Sequence, residues 1–402
     1  MPRFEPFAGV RYDTDQFSMA DVTAPPYDVL SAADRAALCA RSDHNVVCID
    51  VPSDAGGVDR YTEAGARFDR WRAEGALITD PEPTFTLYRM SHTDDSGRPA
   101  TTVGVIGALE LSRPDDGEIL PHEHTTPKAR SDRLDLLRAT RANLSPVWGL
   151  SLATDLSHLL TCDGPPLEQW NDDDGVDHAV WKIRAADQLA DISAAVGGAP
   201  MVIADGHHRY ETCLAYRDER RASEGTGGPA DATMCFVVEL APDQLTVRPI
   251  HRLLTGLPEG MDLRQRLADS GLHPGTDIEA TAMTDGRWSQ IMADEGALVL
   301  VEPGRATLLH PDPAAFGDLA DLDSARLARA LEALPAHTVS YQHGAELVVE
   351  AVGNGEAQAG ILVRPPEVAQ IERNAHARRR MPAKTTFFHP KPKTGIVFRD
   401  LS

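Results

Sequence analysis

The chain has 402 residues, 42% hydrophobic and 25% charged, with a formal net charge of −22 at pH 7. These values describe a globular protein too long for one ordinary core, with two domains as the default, and exclude a fibrous or low-complexity chain. So acidic a chain repels nucleic-acid backbones and anionic membranes except at local basic patches, no apolar run approaches the roughly 18 residues of a membrane helix, and residues 1–6 carry no charged-then-apolar leader. The expectation is a cytoplasmic protein with no nucleic-acid and no membrane partner.

Near the start, Ala24-Pro25-Pro26-Tyr27-Asp28-Val29 is stiff and extended, because proline disfavours helix in itself and in the residue before it. It can hold Tyr27 or Asp28 at the edge of a site, or serve only as a strut. Ser31 followed by Asp34 predicts a helix cap before Leu38, and residues 59–74 place Tyr61, Ala64, Phe68 and Trp71 on one helical face. Strands are predicted over 84–90, 103–111, 146–152 and 180–184, rich in β-branched and aromatic residues and bounded by turn formers. A long polar loop, 112–130, then leads into a helix capped by Ser131; loops of that length within domains are often functional.

Residues 200–217 change period at Gly206: Met201 to Ala204 form an apolar strand, and Tyr210, Leu214 and Tyr216 or Arg217 follow helical spacing. A Gly/Ser-rich break at 223–229 precedes a strand over 234–240. Residues 258–336 look like a small lobe or insertion with a helix over 324–334; strands are predicted at 346–352 and 359–363, before a basic, proline-rich tail. The expected domains are 1–195, an N-terminal α/β region; 196–257, a strand-turn-helix core; 258–336, a small α/β lobe; and 337–402, strands and a tail returning to the core. Five widely spaced cysteines, with no Cys-x-x-Cys pair, suggest small buried residues rather than zinc or redox chemistry.

Asp205-Gly206-His207-His208-Arg209 concentrates chemistry at the predicted turn. The first amides of a helix lack intrahelical acceptors and carry about half a positive charge, so they attract phosphate or carboxylate. Arg209 adds a two-pronged donor, and the imidazoles can donate, accept or ligate a metal. The plainer alternative has Asp205 capping the helix, Gly206 making the turn and both histidines on the surface. In the long loop, His122-Glu123-His124 would turn both imidazoles the same way if extended, as two metal ligands or two phosphate donors require. Lys128, Arg130, Arg133, Arg138 and Arg141 follow, a local reversal of sign or simply a solvated basic face. In the tail, Phe387, Phe388 and residues 395–398 are apolar enough to dock, which would bring Lys384 to the body.

Taken together, Phe4 to Phe7 with Arg11-Tyr12, Ala24 to Val29, His122 to Thr125, Leu137 to Thr140 with Ala142 to Pro146, Ala204 to Tyr210 and Met381 to His389 resemble domain-of-unknown-function family 1015. The Asp-Gly-His-His-Arg turn is similar to the phosphate-binding turn of the ParB and sulfiredoxin superfamily, which includes a free serine kinase. The resemblance implies an α+β fold with a mixed-sheet ParB/sulfiredoxin-like core and additional α/β lobes, and phosphate contacts from Gly206, His207, His208 and Arg209. No basic recognition helix matching the DNA-binding modules of ParB proteins is present. Glu123, Asp28 and Asp205 are the candidates for a catalytic carboxylate.

The expected function is a nucleotide- or phosphate-binding enzyme: a phosphotransferase acting on a small, serine-like metabolite, or a nucleotide hydrolase. Such chemistry rests on positioning phosphates and neutralising their charge. Glu123, Asp205, His207 and His208 are the catalytic candidates; Gly206, Arg209, His122, His124, Lys128 and Lys384 are the candidates for binding a phosphorylated small molecule. The cofactor expected is ATP, ADP or CTP with Mg²⁺. A zinc- or iron-dependent hydrolase using His122, His124, His207 and His208 is the alternative enzyme, and a non-catalytic nucleotide sensor the alternative binding protein. Oligomeric state is left open.

Overall fold

A computed structural model describes residues 2–402 apart from 55–58, 96, 114–116, 122–129, 226, 280–282, 284–285, 318 and 320. The chain forms two compact units: one from the residues up to Thr246 together with Pro390–Ser402, the other from Val247–His389. No helix among the described residues is long and apolar enough to cross a membrane.

Uninterrupted apolar runs, with no polar alternation, belong at the centre of a sheet covered on both faces. Ala232–Glu239 is such a run, buried throughout its six middle residues. It lies in a nine-stranded mixed sheet whose order is Ile119–Pro121, Met201–Asp205, Val147–Ser151, Ala232–Glu239, Pro99–Glu110, Phe85–Thr93, Asp177–Ile183 and Glu168–Asn171, with Phe4–Glu5 paired to Pro99–Glu110. Met201–Asp205 runs parallel to Ile119–Pro121 and antiparallel to Val147–Ser151, which in turn runs parallel to Ala232–Glu239. The sheet is therefore mixed, as expected. At Gly149 any side chain would collide with the Met201 sulfur, so this glycine lets the two strands close up.

The helix signals hold. Ser31 and Asp34 form a capping box before Ala32–Arg41. Asp59 caps Arg60–Ala73, which buries Ala64, Phe68 and Trp71 and leaves Tyr61 half-buried. Two details differ. The helix expected after Ser131 starts at Arg130, so Ser131 lies within it, and Ile119–Pro121 forms an edge strand inside the expected loop.

The second unit is a six-stranded antiparallel sheet ordered Leu272–Asp277, Arg305–Pro311, Leu298–Glu302, Ala359–Leu362, His251–Thr255 and Thr338–Gln342. Asp323–Glu332 is helical, close to the expected span. Residues 346–352, expected as a strand, instead form the helix Ala345–Gly353. Its valines are β-branched, but the buried set Ala345, Val348, Ala351 and Val352 recurs at three and four residues, and that spacing decides the packing.

The tail docks. Val10 and Phe398 exchange backbone hydrogen bonds, as do Ala24 and Thr394, and Arg399–Asp400 pairs with Ala142–Asn143. Phe398 is fully buried, edge-on to Tyr12 at 5.7 Å and to Phe68 at 5.5 Å between ring centroids. Phe398→Ala should cost about 3–5 kcal/mol, read from denaturant unfolding of the full chain. A cost below 1 kcal/mol would show that the tail is not part of this core.

Candidate active site at the Gly206 turn

The site begins with an irregularity in a strand. Between Ile203 and Asp205 the register against Val147–Ser151 slips, a bulge that re-aims the carboxylate of Asp205 at the end of the strand. Gly206 follows with φ +84°, a left-handed conformation that costs other residues roughly 1–2 kcal/mol. A Cβ there would also lie 2.9 Å from Nε of Arg209, which folds back across the turn. The helix His207–Glu224 starts at once, with no side-chain cap and no acidic residue in its first turn. Asp205 therefore does not cap the helix.

The Asp205 carboxylate takes two cations instead. Oδ2 accepts from Nη2 of Arg209 at 2.5 Å, and Oδ1 accepts from Nζ of Lys391 at 3.1 Å. The same ammonium donates to Oδ2 of Asp28 at 2.6 Å. The other terminal nitrogen of Arg209 donates to the Pro146 carbonyl, whereas its buried Nε has no partner among the described residues. Burial would raise the Asp205 carboxyl, but Lys391 and Arg209 overcome it and hold the group below the usual carboxylate range. Burial likewise works against the charge of Lys391, and Asp205 and Asp28 carry its pKa above that of an ordinary lysine.

A second group adjoins the first. Tyr27 lies in the turn Tyr27–Val29 that follows Pro25-Pro26, and Arg133 stacks 4.1 Å from its ring centroid. Arg133 also donates to Asp50 at 3.2 Å and to Asp132 at 3.0 Å. Asp50 is buried, and burial pushes its carboxyl above the usual range despite Arg133 and Arg209. A cavity of about 50 Å³, room for a few water molecules, is lined by Asp50, Arg133, Asn143, Ser145, Arg209 and Thr212 among others.

Of the residues expected from the sequence, Asp205, Gly206, His207, His208 and Arg209 share this corner, and Asp28 joins them. His207 and His208 are half-buried in the first helical turn; Nδ1 of His208 lies 3.8 Å from the Glu211 carboxylate. His122, Glu123, His124 and Lys128 lie outside the described residues. Lys384 belongs to the second unit, where its carbonyl accepts from Arg252 at 3.0 Å. Among the described residues no three or more His, Cys, Asp or Glu side chains are grouped to hold a metal. Asp50 and Lys391 join the site beyond the residues expected from the sequence. Asp50 was signalled by a lone acid within Val46-Val47-Cys48-Ile49-Asp50-Val51, and Lys391 by the proline on either side of it, which fixes where its side chain is delivered.

The family model described as "Protein of unknown function (DUF1015)" matches residues 4–325. The chain belongs to the DUF1015 family. No curated protein matches it. Among solved structures, a conserved hypothetical protein from Pyrococcus furiosus is 14% identical, with a TM-score of 0.37 over 71% of this chain and 94% of that one. A free serine kinase in complex with AMP is 12% identical, with a TM-score of 0.37 over 70% and 88%. SbnI with C-terminal truncation from Staphylococcus aureus is 11% identical, with a TM-score of 0.41 over 73% and 87%.

Asp205→Asn leaves the buried Arg209 without its carboxylate partner and removes one of the two partners of Lys391 in this DUF1015 corner, and should cost about 3 kcal/mol in urea unfolding at neutral pH. Because the folded carboxyl is depressed, its contribution is present above the unfolded value near about 3.9 and fades as pH falls through the lower folded value. The gap between parent and variant should thus hold steady from neutral pH down to about pH 4 and close in stronger acid. A gap that closes between pH 6 and 8 would contradict this assignment.

Proposed function

We propose that the corner at Gly206 binds the phosphates of a nucleotide, and that the protein is a phosphotransferase for a small metabolite, serine-like by the family resemblance, or a hydrolase of the nucleotide. The carrying observation is the uncapped, acid-free start of an 18-residue helix placed directly after a bulged strand end. Such a terminus offers several convergent amides and a partial positive charge to an anion. A ParB/sulfiredoxin-like character of the core is part of this proposal and is supported by the strand-turn-helix and its Asp-Gly-His-His-Arg sequence.

In this reading the amides of residues 207–209, with the His207 and His208 imidazoles, grip the phosphates. Arg209, engaged by Asp205 and the Pro146 carbonyl, positions the turn. Asp50, with its raised carboxyl and its place on the cavity, is the better-tuned proton acceptor; Asp205 is held ionised by two cations and is a weak one. Bound nucleotide supplies the transferable phosphoryl group. His122, Glu123, His124, Lys128 and Lys384 remain in the proposal on the resemblance alone. Mg²⁺ does not fit between Asp28 and Asp205 as they stand, because the Lys391 ammonium is already hydrogen-bonded to both, and no step is assigned to a metal there.

Thermal melts of the full chain with ATP, ADP, CTP or GTP test the reading. A ligand at 100 times its Kd should stabilise the protein by about 2.7 kcal/mol, and His207→Ala with His208→Ala should weaken that ligand at least about tenfold. No response to any nucleotide rejects the site. Binding with no product in ³¹P spectra after long incubation selects the non-catalytic sensor.

A further inference from the structure

We propose that Lys391 is the resident cation of this corner, set between Asp28 and Asp205 where a divalent ion would otherwise sit, so that the corner receives a phosphate-bearing ligand without a metal on those carboxylates. The nature of the ligand rests on the reading above; the placement of the cation does not.

Two carboxylates from distant parts of the sequence converge on one nitrogen, at 2.6 Å and 3.1 Å. Paired carboxylates of this kind are the usual grip for Mg²⁺, which needs oxygen ligands at about 2.0–2.1 Å. With the ammonium seated there, no ion can reach both oxygens. The lysine is also held in place. Its side chain is only 13% exposed, and Pro390 and Pro392 restrict the backbone on either side. Two residues on, Lys393 pairs with Asp172 at 2.6 Å, and Thr394 exchanges backbone hydrogen bonds with Ala24. The backbone that delivers the ammonium is thus anchored close by.

Charge supports the assignment. Asp28 and Asp205 carry two negative charges, and Lys391 and Arg209 carry two positive ones. These four charges balance, so the two carboxylates do not by themselves oppose the partial positive charge of the following helix. Without Lys391 the quartet would carry a net negative charge and repel phosphate until another cation joined it. The shifts of Lys391 upward and Asp205 downward keep both groups charged at neutral pH.

Melting the full chain with metal alone provides the test. The parent should melt at the same temperature in EDTA as in MgCl₂ or MnCl₂. Lys391→Ala and the longer Lys391→Gln should melt lower in EDTA and recover saturably with Mn²⁺ or Mg²⁺, and Asp28→Asn should abolish that recovery. A saturable rise in the parent that Asp28→Asn removes would overturn the proposal, and this arm needs no lysine variant to fold. Variants that melt lower yet ignore both metals would also overturn it. In a second arm, with EDTA throughout, the parent should bind pyrophosphate about tenfold tighter than Lys391→Gln. Failure of the parent to bind pyrophosphate with or without Mg²⁺ rejects the phosphate reading and leaves the metal arm to decide the role of Lys391.

Discussion

Asp205 is held by two cations, one from the helix that follows it and one from the distant tail, and the geometry of the corner follows from that double pairing. Arg209 reaches it from the same helix four residues on, and Lys391 from the docked tail. A buried carboxylate with one partner is a liability, since desolvation offsets most of the attraction. With two partners, and with Asp28 balancing the second, the charges cancel locally. The strand end, the helix start, the N-terminal proline segment and the tail are thereby tied at one point. Moving any one of them strands a charge.

The same logic explains why the last residues fold back onto the first unit. Lys391 and Lys393, two apart in an extended segment, reach separate carboxylates. Asp172, which receives Lys393, also accepts from Nε2 of His178 at 3.0 Å, and Nδ1 of that imidazole lies 2.8 Å from the Tyr88 hydroxyl. Burial depresses the basicity of His178 more than Asp172 restores it, so its ring is neutral at neutral pH and Asp172 is left to the lysine. Hydrophobic anchoring by Phe398 and the ion pairs of Lys391 and Lys393 thus act on one short stretch, and they reinforce each other because each fixes the backbone the other needs.

Local signals were legible and distant ones were not. The period change at Gly206, the Ser31–Asp34 box and the apolar face of residues 59–74 are written in neighbouring residues, and the structure reproduces them. The Val348-Val349 pair pulled a helix toward a strand because β-branching is a weak preference that burial spacing overrides. Lys384 stood out over Lys391 because the tail shows many cations and nothing about their partners; Asp28 and Asp205 single out Lys391 only once the chain is folded. The bulge before Asp205 is invisible for a similar reason, since it exists only against Val147–Ser151.

Three carboxylates near one turn divide into two kinds, and the division follows from counting cations. Asp205 has two and Asp28 shares one of them, so both serve to hold positive charge in position. Asp50 lies deeper and has Arg133 as its nearest cation, and Arg133 is itself shared with Asp132 and spread over the Tyr27 ring. Burial raises its carboxyl despite that cation, whereas Asp205 is held low. Under the proposed reading, a corner that must attract phosphate and also accept a proton cannot use one acid for both tasks, because the cations that favour the first suppress the second. Arg209 interacts with both acids, but Asp205 is held low by two cations and Asp50 is raised by its burial, so one guanidinium serves both without equalising them.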